Sequence, residues 1–242
     1  MANWSDPRLA ASSRPVEGTR ERALFDAGLR SYMLSVYNYM ASGVLLTGIV
    51  ALAFAYSGLA AEVLTTPLRW LIIFAPLGFV FAMSFGINRF SQGTLQLMFW
   101  AFATVMGLSL SSIFLVFTGE SIATTFFAVS AAFAGLRLWG YTTKKDLSGW
   151  GSFLIMGVIG LIVAMVINIF LQSSALQLAV SLIGVLIFAG LTAYDTQRIK
   201  SLYFQVAGSD IMGKTVIMGA LSLYLDFINM FMFLLQFLGS RE

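Results

Sequence analysis

Seven stretches of about 20 predominantly apolar residues follow one another along this chain, and they leave it few folds to choose from. They fall at residues 32–56, 69–88, 95–117, 121–141, 151–171, 176–200 and 212–238, with short links between them. Each is long enough for a helix to cross about 30 Å of hydrocarbon at about 1.5 Å per residue. Backbone polar groups in lipid must be satisfied within the protein, and the strict alternation of barrel strands is missing. An all-α membrane protein of seven transmembrane helices is therefore expected. With 59% hydrophobic and 10% charged residues among 242, little is left for a separate soluble domain. Residues 1–30 are expected to be a flexible cytoplasmic tail and residues 31–242 the transmembrane domain.

Charge gives the direction of the spans. The tail carries Arg8, Arg14, Arg20, Arg22 and Arg30 and has no apolar core of the signal-peptide kind. Arg89 follows the second span, Lys144 and Lys145 the fourth, with Arg137 close by; Arg198, Lys200 and Lys214 surround the link after the sixth. Only Arg69 and Arg241 fall on the other side, which places the N-terminus in the cytoplasm and, after an odd number of crossings, the C-terminus outside. A re-entrant last helix would bring residues 239–242 back. The formal charge of +3 is small and the basic residues lie in loops and tail, so nucleic acid is not an expected partner; the lipid bilayer is. Small residues at helix-packing spacing, Ser130-Ala131 with Ala134-Gly135 and Gly157 with Gly160, are read as packing positions without a ligand.

The chain has no cysteine and no histidine. Thiolate chemistry and disulfides are excluded, and so are the usual sensor of pH between 5 and 8 and the commonest transition-metal ligand. No cofactor is expected. Any pH response or cation binding through side chains must come from carboxylates, which makes Asp195 and Asp226 the residues of interest. Asp226 lies inside the last span, where a charge is costly unless it faces protein or water and finds a partner. Asp195 lies about five residues before the expected cytoplasmic end of span six. Spans six and seven share that face, so helix rise brings the two acids within about one to three turns of the same depth. Two carboxylates in one dry site cannot both ionise cheaply, and their titration belongs to the pair.

Ser222 and Asn229 share a helical face with Asp226 and are candidates to line an ion pathway. Arg89, at the end of span two, is a candidate counter-charge from another helix. Bland alternatives stand beside these readings. Asp195 and Arg198, three residues apart, can form a local ion pair; Asp226 can bond to backbone or to Asn229; Arg89 can reach the lipid headgroups.

The run Ala220-Leu-Ser-Leu-Tyr-Leu-Asp226-Phe-Ile-Asn229-Met-Phe resembles the C-terminal signature of the Bax inhibitor family, the transmembrane Bax inhibitor motif proteins, in their bacterial branch. Tyr194-Asp195 with Gln197 and Ile199 resembles its sixth-helix motif, and Lys144-Lys145-Asp146-Leu-Ser its link between helices four and five. The resemblance covers residues 30–240. It implies six helices wrapped around a central C-terminal one, and a pH-sensitive calcium leak channel whose sensor is the two aspartates, Asp195 and Asp226, hydrogen-bonded to each other. It also implies an arginine latch at the end of the second helix, a place that Arg89 occupies without the basic cluster expected around it. The bacterial branch includes modulators of a membrane-bound ATP-dependent protease.

Three functions are thus set against one another. The first is a cation leak, for calcium, in a bacterial inner membrane, with Asp195 and Asp226 as sensor and as a weak calcium site. The second is an interaction protein whose arginine-bearing tail engages a membrane-bound protease. The third, an intramembrane aspartyl protease, suits two aspartates on consecutive helices, but Leu-Tyr-Leu-Asp226 lacks the glycines that make room for a substrate backbone. A protein that is not an enzyme is expected.

Overall fold

A computed structural model describes residues 14–240, with side chains from Leu24 onward except Leu64. The described residues are all-helical: α1 (Arg14–Tyr56), a short α2 (Leu59–Thr65), α3 (Leu68–Gly86), α4 (Gln92–Leu110) with a 3-10 turn (Ser111–Leu115), α5 (Gly119–Thr142), α6 (Ser148–Leu171), α7 (Ser174–Val206) and α8 (Met212–Leu238). Seven of these are long and apolar enough to cross a membrane, and they coincide with the seven expected stretches. Polar residues punctuate them. Ser91, Thr118 and Ser173 each accept a hydrogen bond from the backbone N–H three residues on and so start α4, α5 and α7.

Two helices run further than the apolar pattern suggests, and for a common reason. The first 13 residues of the expected tail lie outside the described residues, but from Arg14 the chain is already helical. α7 likewise continues past Lys200 to Val206. The two extensions meet: the Tyr203 ring packs 5.2 Å from Phe25 and 5.3 Å from Tyr32, and Leu29, Tyr203 and Val206 are buried. Mutual burial of aromatic surface holds both helices past the apolar stretch.

Burial is very unevenly shared. The apolar window of α8 is 72% buried, against 11–33% in the other six spans. Large side chains elsewhere, such as Phe85, Phe127 and Phe170, face outward and are suited to lipid. α8 packs chiefly on α7, with which it forms an antiparallel pair across the turn at 207–211, and then on α1, α5 and α4. α3 packs mainly on α4 and α6 on α7. Four helices, rather than six, provide the main contacts of α8.

Close approaches use glycine. A Cβ at Gly140 would collide with the backbone of Ala193, which fixes the crossing of α5 on α7; one at Gly184 would stand 2.6 Å from the Phe233 ring. A Cβ at Gly157 would stand 2.8 Å from Ile187, as at a packing position, whereas ones at Gly135 and Gly160 would meet open space. The far end of α8 is tied by backbone: Thr118 N–H donates to Ser240 O (3.1 Å) and Ser240 N–H to Ser121 Oγ (3.0 Å). The last helix therefore crosses the whole bundle, with Ser240 beside the link that precedes α5 and Met212 at the opposite end.

Candidate functional site

Along α7, Thr192, Asp195, Thr196, Ile199 and Tyr203 follow helical spacing and all are buried. Thr192 and Thr196 bond to carbonyls of their own helix at 2.7 Å, so their hydroxyls add no unmet polarity. Asp195 is 8% exposed and Asp226, on α8, 4%. Asp195 lies about eleven residues before the end of α7 and Asp226 about fourteen after the start of α8, which puts them about one turn apart in depth. The two expected acids lie near enough for the charge of Asp195 to act on Asp226, and Ser222, one turn before Asp226, lies near enough to act on Asp195. Ser222 thus sits on the side of α8 that faces Asp195. Asp226 Oδ2 is buried without a hydrogen-bond partner among the described residues.

The other expected residues fall differently. Asn229 is half-buried, and its amide donates to Leu225 O at 2.8 Å on its own helix, not to Asp226. Arg89 is exposed beyond α3; Lys214, not Arg89, reaches inward there, donating to Ile87 O at 3.2 Å. Arg198 is exposed, and its charge acts on Asp195. Among the described residues no group of three or more acidic side chains gathers, so the pair alone falls short of a tight calcium cage, which takes six to eight oxygens.

Three polar arrangements were not foreseen. Gln197, two residues beyond Asp195, holds the lysine loop at both ends: its Nε2 donates to Lys145 O and its Oε1 accepts from Leu147 N–H, each at 2.8 Å. In that loop the Asp146 carboxyl is held below the usual range by hydrogen bonds from the Ser148 hydroxyl and backbone. The motif contained Gln197, but nothing in its spacing named a partner about 50 residues away. Tyr224 is fully buried between Phe99 and Phe102, its hydroxyl 2.7 Å from Thr47 Oγ1, which donates to Ala103 O at 2.8 Å. Arg137 lies flat on the Tyr37 ring, 3.4 Å from its centroid, with Nε buried and unpartnered.

Seven membrane-crossing helices and a buried acid pair define a multi-pass integral membrane protein. The chain matches the family described as "Inhibitor of apoptosis-promoting Bax1" over residues 29–242 and belongs to that Bax inhibitor family. It is 46% identical over 220 residues to the inner membrane protein YbhL of Escherichia coli K12, covering 89% of this chain and 94% of that one. A Rickettsia prowazekii protein, RP147, is 48% identical over 226 residues (93% and 95%), and one from Caulobacter vibrioides 46% over 243 (95% and 96%).

Proposed function

We propose that the protein is a pH-sensitive leak pathway for cations, with calcium as the ion, in a bacterial inner membrane. The observation that carries this reading is the nearness of Asp195 and Asp226, two buried carboxylates on adjacent helices, close enough for one charge to act on the other, with Ser222 beside Asp195. One proton between two carboxylates lets them stay together; its loss leaves two like charges in a dry site, and the repulsion favours separation. In this reading α8 is the axis of the bundle, supported by its burial, and separation of the acids loosens its contact with α7. The freed carboxylates and Ser222 then give a passing calcium ion hard oxygen ligands, too few to trap it, which suits a leak. The N-terminus is cytoplasmic by the arginine and lysine bias, and the name of YbhL supports the membrane assigned.

The protein is not read as an enzyme. Asp226 lies in Leu-Tyr-Leu-Asp226, without the glycines that would make room for a substrate backbone.

The test is calcium flux into liposomes carrying the purified protein, followed across pH. Flux is expected to change with pH in the parent and to lose that dependence in Asp195→Asn and Asp226→Asn, whose amides cannot ionise. An unchanged pH profile in both variants overturns the sensor.

A further inference from the structure

α1 and α5 each pack on α8, or on α7, in preference to each other, and a groove of about 510 Å³ remains between them near the lysine- and arginine-rich end of the bundle. Its lining is of two kinds. Met33, Leu34, Ala134 and Leu138 make an apolar trough, while Arg30 and Arg137, with Tyr37 and Tyr141, make a cationic and aromatic head. Lys200 adds a third cation nearby: its Nζ stands 4.7 Å from the Tyr141 ring and donates to Tyr141 O at 2.8 Å.

Arg137 is the residue that needs explaining. It lies about five residues, roughly 8 Å, inside the end of α5. A guanidinium stays ionised in a protein, and at that depth an unpaired cation is costly. Stacking on Tyr37 offsets part of the cost. Among the described residues Nε is nevertheless buried without an acceptor, and no described carboxylate lines the groove. Asp26, one turn before Arg30, is exposed and outside the lining. The site has donors in the planar fork that suits phosphate, no anion among the described residues, and a trough of alkyl side chains beside it.

We propose that this groove binds an anionic phospholipid, its phosphate on Arg137 and Arg30 and one acyl chain along Met33, Leu34 and Leu138. The trough separates a lipid from a free phosphate, because a soluble anion gains nothing from it. Basic pockets between membrane helices on the cytoplasmic side are suited to such headgroups.

The experiment is native mass spectrometry of the purified full-length protein in detergent, titrated with phosphatidylglycerol or with phosphatidylcholine of the same chains. The parent is expected to bind one phosphatidylglycerol in preference to phosphatidylcholine. Arg137→Gln and Arg30→Gln should each lower that affinity about fivefold, while Arg69→Gln, an exposed arginine on Trp70, leaves it unchanged. Arg137→Lys, which keeps the charge, should retain more of the preference than Arg137→Gln. If Arg137→Gln does not fold, Arg30→Gln carries the test, since its side chain is exposed. Equal binding of the two lipids overturns the proposal. So does displacement by millimolar glycerol phosphate or inorganic phosphate, and so does a preference that follows Lys144→Gln/Lys145→Gln instead of the arginines.

Discussion

Tyr224 illustrates how a membrane helix carries a polar atom without a binding role. Its hydroxyl is satisfied by Thr47, and Thr47 by Ala103 O, so the polar knot is closed and surrounded by Phe99 and Phe102. Tyr224→Phe is expected to cost about 1 kcal/mol of stability, because Thr47 keeps its carbonyl bond. Thr47→Val should cost about the same, and a double-mutant cycle by unfolding in mixed micelles should show the two effects to be coupled. Additive costs would mean that the contact is energetically idle. Asp226, two residues on, contrasts with it, since its Oδ2 is left without a partner. Sequence reading reached Asp226 because a charge in an apolar run is conspicuous; it missed Thr47 and Tyr224 because hydroxyls in such a run are common. Their 177-residue separation leaves no local pattern to find. Asn229, read as a candidate lining of an ion pathway, donates its amide to its own helix, and a shared face does not say whether an amide turns to its own backbone.

At the scale of elements, the seven crossings were legible almost to the residue, because twenty apolar residues admit one interpretation in lipid. The ends of α1 and α7 were not. Their extensions exist only because each covers the other through Phe25, Tyr32 and Tyr203, a contact between segments about 170 residues apart. The link between α5 and α6 is a further case, since its order comes from Gln197 on a third helix. Gln197→Ala should free this loop, and trypsin is expected to cut after Lys144 or Lys145 several-fold faster than in the parent; equal rates would show that the loop holds itself. Gly140→Leu should be worse tolerated than Gly160→Leu, as the first side chain would enter the backbone of Ala193 and the second meets open space. A cost of about 1–3 kcal/mol is expected for the former and little for the latter, read as a shift in thermal unfolding.

For the whole molecule, sidedness is open to a clean test because the chain has no cysteine of its own. Lys145→Cys and Ser240→Cys would each be the only thiol present. A membrane-impermeant maleimide added to intact spheroplasts should label the variant at 240 and spare that at 145 until the membrane is broken. The reverse pattern would invert the topology, and labelling of both from outside would contradict an odd number of crossings.

The order in which the chain leaves the ribosome gives the burial of α8 a further meaning. Its most enclosed helix is made after the other six spans, so these are already in the bilayer before the segment that most of them touch arrives. Until then Asp195 on α7 has no Ser222 or Asp226 beside it, and the surfaces of α1, α5 and α7 that later face α8 are open to lipid. The arrival of α8 therefore encloses the bundle, and the hydrogen bonds from Thr118 N–H to Ser240 O and from Ser240 N–H to Ser121 Oγ tie its far end. A chain that stops before Met212 would be a half-built particle with an exposed polar seam, the kind of substrate that membrane proteolysis removes.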